Sequence, residues 1–146
     1  MAFHFPFEVL LRLRKSVEHQ QEMLLVALTQ QMDQVKREID KAESWLKVLS
    51  QRDSATLHEG TAASELHFFT DCHDTVEHLR QSLKNEYVKL REAHCRQRSV
   101  LEHARRDREV IEELRQRQLR TYREEEKRAE QRRLDDMFLM LNRTPR

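Results

Sequence analysis

The amino-acid sequence predicts an all-α fold, a two-helix antiparallel coiled-coil hairpin with a C-terminal helix overhang. Three observations predict it. Charged residues make up 36% of the 146 residues and aromatic residues only 6%, which is the composition of long helices and coiled coils. The chain has one glycine and two prolines, too few for the turns that a globular domain of this length needs. Finally, the apolar residues recur at coiled-coil spacing along two long segments.

The first helix is expected over about residues 6–52, because Pro6 suits the first turn of a helix. From Leu28 to Leu49 the apolar residues alternate steps of four and three, which is the spacing of a coiled-coil seam. The apolar positions that would continue this seam upstream are Leu10, Leu13, Val17 and Leu24. They fit it only if an extra residue is accommodated before Leu28, so we predict a stutter there.

A connecting loop is expected over about residues 53–61, where the apolar spacing breaks and the single glycine, Gly60, lies. The second helix should follow over about residues 62–141, and we expect residues 1–146 to form a single domain. One set of its seam positions is Val76, Leu83, Leu90, Gln97, Ala104, Ile111 and Gln118. The second set is expected three residues after the first, beginning at Leu79.

The two predicted helices differ in length, about 70 Å against about 120 Å at 1.5 Å per residue. In an antiparallel hairpin the second helix must therefore project beyond the first, from about residue 110–118. The projecting part carries mixed charges from Arg115 to Arg128 and ends in the apolar run Met137–Leu141. A charged segment that ends in an exposed apolar run invites a partner protein.

The sequence argues against catalysis. One glycine cannot supply the loop with which P-loop ATPases hold phosphate. His94 and Cys95 are neighbours on a helix and therefore do not face each other as a nucleophile and base must. The histidines and cysteine from His67 to His78 would need a second segment to complete a tetrahedral metal site. We therefore expect no enzymatic activity, no cofactor, no metal and no small-molecule substrate.

The charge and hydropathy of the sequence argue against further classes of protein. The formal net charge is +1, and glutamates interrupt the arginine-rich stretch from Arg105 to Arg133. No continuous positive stripe can then track phosphates, so we expect no nucleic-acid partner. No segment approaches the roughly 18 apolar residues of a membrane span. The two cysteines are too few for a disulfide framework, which favours a reducing compartment.

The aromatic residues near the predicted loop leave two interpretations open. Trp45 is the only tryptophan, and two helices cannot enclose so large a side chain, so we expect it to be partly exposed. Phe68 and Phe69 follow just after the loop. These aromatics either pack the end of the hairpin or anchor a partner, as exposed Trp and Phe commonly do at interfaces. Both can hold at once.

Three segments of the chain carry a resemblance to a known family. The first is the aromatic-rich entry into a Leu-Arg helix at residues 3–14. The second is Gly60–Phe69, continuing to Val76–Leu79. The third is Glu130–Asp136, which resembles an E-x-K-x-L-D-E signature with conservative departures. In these segments and in length, the sequence resembles the flagellar FliJ family of type III export proteins over essentially the whole chain.

The resemblance implies an antiparallel coiled coil similar to the gamma subunit of rotary ATPases. It implies a non-enzymatic coupling protein or chaperone of flagellum assembly with three kinds of partner. These are the hexameric flagellar export ATPase, the cytoplasmic domain of the export-gate membrane protein, and export chaperones. It also implies a cytoplasmic location, peripheral on the cytoplasmic side of the inner membrane at the flagellar base.

Carried over to this sequence, the resemblance assigns two sets of candidate binding residues. The gate-facing set is Ala42, Trp45, Leu49, Cys72, Val76, Leu79 and Leu83. The ATPase-facing set is Leu134, Asp135, Asp136, Met137 and Phe138. Two other functions stay open from the residues alone. One is a structural coiled-coil scaffold that dimerises through its seam, and the other is a helical nucleic-acid-binding protein.

Overall fold

The computed structural model describes residues 3–60 and 62–142, without the side chains of residues 56–59. Two helices make up nearly all of this part of the chain, α1 (Glu8–Glu59) and α2 (Ala63–Leu141), and it contains no strand. Gly60 has a φ of 74°, a left-handed conformation that favours glycine and commonly ends a helix. The predicted fold class, a two-helix antiparallel coiled-coil hairpin, is confirmed.

The first helix is longer than the sequence predicted. It continues to Glu59, so most of the loop expected at 53–61 is helical, and Thr61 lies outside the described residues. One of the polar residues in the expected loop bonds back to its own helix. The hydroxyl of Ser54 donates a hydrogen bond to the carbonyl oxygen of Gln51 at 2.8 Å.

The chain divides into two compact units, residues 1–20 with 102–146, and residues 21–101. In the first unit Glu8 pairs with Arg115, and Glu18 pairs with Arg108. In the second unit Gln97 donates a hydrogen bond to Gln21, and Lys84 pairs with Glu43. Within each unit the partner's number falls as the position in α1 rises, so the two helices run antiparallel. The expectation of a single domain stays a prediction.

Burial along α1 follows a regular coiled-coil spacing from Leu11 to Asp53. The seam positions, each buried or half-buried, are Leu11, Arg14, Glu18, Gln21, Leu25, Leu28, Met32, Val35, Ile39, Ala42, Leu46, Leu49 and Asp53. The seam predicted from Leu28 to Leu49 is therefore confirmed. The predicted stutter is wrong, because the alternation of three and four continues without interruption to Leu11. The residues that the stutter was meant to accommodate are largely exposed, with Leu13 at 57% and Leu24 at 53%.

Polar side chains can occupy the upstream seam of α1 because they have partners on α2. Arg14 lies 3.0 Å from a carboxylate oxygen of Asp107. The amide of Gln97 donates to Gln21 at 2.7 Å. The sequence pattern of α1 alone contains no sign of these partners, which is why it suggested the apolar neighbours instead.

The seam of α2 differs from the prediction in one of its two sets. The first set, from Val76 to Gln118, is buried or half-buried throughout. The second set lies four residues after the first rather than three, at Arg80, Tyr87, His94, Leu101, Arg108, Arg115 and Tyr122. Long arginine and tyrosine side chains can bury their stems and keep their polar ends at the edge of the seam. Leu79, expected in the seam, is 53% exposed.

The predicted overhang of α2 is present and begins slightly later than expected. The ring of Phe3 lies 5.6 Å from that of Tyr122, and Phe5 is buried. Residues ahead of α1 thus extend the contact with α2 past the expected range of 110–118. Every described residue after Tyr122, up to Asn142, is exposed.

Candidate functional site

The gate-facing set lies in the second unit, and its members differ in exposure. Trp45 is 64% exposed and Leu79 is 53% exposed, so both can contact a partner directly. Ala42 and Leu83 are buried at 3% and 8% and face the other helix. The half-buried members are Leu49, Cys72 and Val76. The set therefore combines two exposed side chains with five that are buried or half-buried in the helix pair.

Trp45 has an apolar neighbour that the sequence analysis did not select. Val48 is 42% exposed and lies three residues further along α1, which places it on the same face of the helix. Trp45 and Val48 line a shallow groove together with Asp40, Lys41 and Ser44. The predicted partial exposure of Trp45 is confirmed. We call Trp45, Val48 and Leu79 the hairpin-end surface residues.

The phenylalanines after the turn form a pair of their own. The rings of Phe68 and Phe69 lie 6.0 Å apart in an edge-on arrangement. Phe68 is 64% exposed, whereas Phe69 is half-buried. Phe69 is therefore the ring that packs more closely, whereas Phe68 is accessible, and the docking of a partner on these aromatics stays a prediction.

The ATPase-facing set lies in the first unit, on the overhang, and all five residues are exposed. Leu134, Met137 and Phe138 are 56%, 60% and 65% exposed. Leu141, which the sequence analysis did not select, is 72% exposed. These four residues recur at i, i+3, i+4 and i+7, so they share one face of the helix. We call them the C-terminal apolar stripe; Asp135 and Asp136 lie outside it.

Further apolar residues are exposed on α1, where sequence reasoning had placed several of them in the seam. In the first unit they are Val9, Leu10 and Leu13, exposed by 78%, 38% and 57%. In the second unit they are Met23, Leu24 and Val26, exposed by 56%, 53% and 49%. The spacing of apolar residues alone does not predict that these residues are exposed. Their exposure follows only once polar residues are known to occupy the seam.

The chemistry of the described residues is that of ion pairs and apolar surfaces. Among the side chains of residues 3–55, 60 and 62–142, no three His, Cys, Asp or Glu residues cluster as metal ligands would. Cys72 and Cys95 are free thiols, and Cys95 is exposed. His94 is half-buried in the seam beside it. Neither helix, within the described residues, contains a stretch apolar enough to cross a membrane.

The arginines of the first unit are interleaved with acidic residues across and along the helices. Arg108 contacts Glu18 on α1 and lies 3.6 Å from Glu109 and 3.9 Å from Glu112 on its own helix. Arg115 lies 3.3 Å from Glu8. Side chains held in this way do not form the continuous positive stripe that tracks a nucleic-acid backbone.

One of the three comparisons with known proteins gives a match. A family model described as flagellar FliJ protein matches residues 3–146. No curated protein and no solved structure matches the chain. Because the family match covers essentially the whole sequence, the chain belongs to the flagellar FliJ protein family, a non-catalytic family of flagellar protein export.

Proposed function

We propose that this chain is a non-enzymatic coupling protein of flagellar type III export. In this proposal it binds the hexameric export ATPase through its overhang and the export gate through its hairpin end. One observation carries the proposal. After Tyr122 every described residue of α2 is exposed, and this exposed segment ends in the C-terminal apolar stripe. Membership in the family supports the setting in flagellar export.

The C-terminal apolar stripe supports the ATPase contact through its spacing. Apolar residues at i, i+3, i+4 and i+7 are the anchors by which an amphipathic helix lies in a groove of a partner. Each large side chain that becomes fully buried contributes about 1.5–3 kcal/mol. The helix before the stripe, from Arg123 to Arg133, contains both acidic and basic residues. Because its charges are mixed, this part of the helix should not attach tightly to the ATPase ring. A weak contact suits a helix that must respond to changes in that ring.

The hairpin-end surface residues support the gate contact. Trp45 is exposed beside Val48, and an exposed tryptophan with an aliphatic neighbour is a common anchor of protein interfaces. These residues are not shared with the C-terminal apolar stripe, so one chain could bind both partners at once. The two partners are then coupled if the chain bound to one partner has a different affinity for the states of the other. Differential affinity is needed because a ligand shifts an equilibrium only through it.

The remaining expectations from the resemblance belong to the same proposal. Binding to the gate would hold the chain peripherally on the cytoplasmic side of the inner membrane, and export chaperones would be a third class of partner. The scaffold alternative needs a free seam. Within each unit the described seam of α1 already packs against α2, which favours the coupling function.

A substitution in the C-terminal apolar stripe tests the ATPase contact. We expect Phe138→Lys to weaken binding of the purified ATPase about tenfold or more, because an interface anchor is worth about 2 kcal/mol or more and 1.4 kcal/mol is tenfold. Lysine near the C-terminus of a helix is compatible with the helix dipole, so the fold should be retained. Calorimetric titration and ATPase rates would measure the effect.

The matched control for this experiment is Val88→Lys. Val88 is also an exposed apolar residue of α2, at 53% against 65% for Phe138, and it lies in the second unit. This variant should bind and stimulate the ATPase as the unchanged chain does. Equal binding by all three proteins would refute the proposed contact.

A further inference from the structure

In the first unit, α1 turns charged residues as well as the buried Leu11 toward α2 and leaves other apolar residues outside. Arg14 and Glu18 occupy seam positions, whereas Leu13 beside them is 57% exposed. Turning α1 by one residue, about 100°, would bring Leu10, Leu13 and Val17 into the seam. Hydrophobic burial alone favours that alternative. Another interaction must therefore select the observed packing.

Glu18 is the centre of that interaction. Its side chain is only 13% exposed, and it contacts Arg108, whose side chain is 24% exposed, and lies 3.5 Å from Arg105. One turn earlier, Arg14 lies 3.0 Å from Asp107. An ionic side chain in a seam contributes little to stability but can specify register and partner, since any other arrangement leaves it unpaired.

Two further ion pairs join the helices in the first unit. Lys15 lies 3.3 Å from Glu112, and Glu8 lies 3.3 Å from Arg115. We infer that these cross-helix pairs, with those of Arg14 and Glu18, fix the register of the hairpin and prevent α1 from pairing with a second copy of itself. This inference does not depend on the proposed function.

A shift of one heptad shows how the pairs select the register. If each residue of α1 met the position seven further along α2, Arg14 would face Leu114 in place of Asp107. Likewise, Lys15 would face Leu119 in place of Glu112. Glu18 would keep an arginine, since Arg115 would take the place of Arg108, but the attraction of Arg14 and Lys15 to acidic residues on α2 would be lost because both would meet a leucine.

The opposite shift is unfavourable as well. Glu18 would then face Leu101 in place of Arg108, and Lys15 would face Arg105 in place of Glu112. The first change takes the closer of two arginines away from a largely buried carboxylate, which keeps only Arg98 in place of Arg105, and the second brings two like charges together. Only the observed register satisfies Arg14, Lys15 and Glu18 together.

The same residues oppose self-association. In a parallel pair of two α1 helices, Glu18 would face Glu18 of the second copy at a seam position, and Arg14 would face Arg14. Like charges in a seam are a recognised device against unwanted pairing. Without these charges the seam from Leu11 to Leu28 would be apolar except for Gln21, a pattern that also suits pairing between copies.

The test replaces both seam charges by leucine, in Arg14→Leu/Glu18→Leu. Two readouts are needed, the mass by light scattering and the distance between spin labels at Ser16 and Glu109 by pulsed electron resonance. Cys72 and Cys95 would be replaced by serine. The unchanged chain should show a mass of 17.8 kDa and one short distance. The variant should show a mass at least twice as large and a broadened distance distribution.

The control variant is Arg12→Leu/His19→Leu, which adds two leucines to exposed, non-seam positions of the same helix. It should keep both the mass and the distance of the unchanged chain. Self-association of the control to the same extent would mean that added hydrophobicity alone is responsible. A seam variant that stays at 17.8 kDa with the original distance would equally overturn the inference.

A charge exchange provides a second test that does not add apolar surface. Arg14→Asp places two acidic side chains together and should broaden the distance distribution. Arg14→Asp/Asp107→Arg restores an opposite pair and should return the original distance. The inference fails if the single variant has no effect or if the exchange does not rescue it.

Discussion

Removal of residues 130–146 is expected to abolish stimulation of the cognate export ATPase and to leave the paired part of the chain folded. The deletion takes away the C-terminal apolar stripe, which is exposed by 56–72% and makes no described seam contact. If two anchors of about 2 kcal/mol each are lost, binding weakens by about three powers of ten or to nothing measurable. Steady-state ATPase rates at increasing concentrations of the truncated chain measure this.

The truncated chain carries its own internal control. The seam ends at Tyr122 and the gate-facing set lies in the second unit, so binding to the gate domain should persist. Circular dichroism should lose only the signal of the removed helical residues. Undiminished stimulation by the truncated chain would exclude the overhang as the ATPase contact.

The substitution Trp45→Ala is expected to weaken binding of the export-gate cytoplasmic domain about tenfold to hundredfold. The side chain is 64% exposed, so its loss leaves no cavity, and alanine is the better helix former. Interface tryptophans commonly cost about 2 kcal/mol or more when truncated, and 1.4 kcal/mol is tenfold. Surface-plasmon titration of the gate domain measures the effect, with helicity followed by circular dichroism.

Two companion variants separate docking from folding in that experiment. Val110→Ala removes an apolar side chain that is 68% exposed in the first unit and should leave gate binding unchanged. Leu83→Ala removes a seam side chain that is 8% exposed and should reduce stability by about 2 kcal/mol or more. If Trp45→Ala behaves like Leu83→Ala, Trp45 is a packing residue and the docking surface is misplaced.

The success of the seam prediction depended on what lies across from each helix. From Leu28 to Leu49 the seam of α1 is apolar, and its spacing was readable from the sequence. Upstream, Arg14 and Glu18 hold seam positions because Asp107 and Arg108 meet them, and those partners are about ninety residues away along the chain. The spacing of apolar residues along one helix contains no information about partners on the other helix. It therefore predicts that the nearest leucines occupy the seam.

The two candidate surfaces also differ in how much of them the sequence could predict. The overhang followed from the unequal lengths of the two helices, and its exposed apolar end followed from composition. The gate-facing set came from a resemblance, which transfers positions but not exposure, so buried Leu83 and exposed Leu79 stood together in it. Once Arg80 rather than Leu79 is known to occupy the seam, the outward position of Leu79 follows from the helical repeat.

Site-specific photo-crosslinking at Phe138 tests the central claim, that the overhang is the part of this chain that contacts the export ATPase. A photoreactive phenylalanine analogue would replace Phe138 in one protein and Val88, exposed on the same helix, in another. We expect a crosslink to an ATPase subunit from position 138 and none from position 88. Crosslinks from position 88 alone, or equally from both positions, would mean that the overhang is not the ATPase contact.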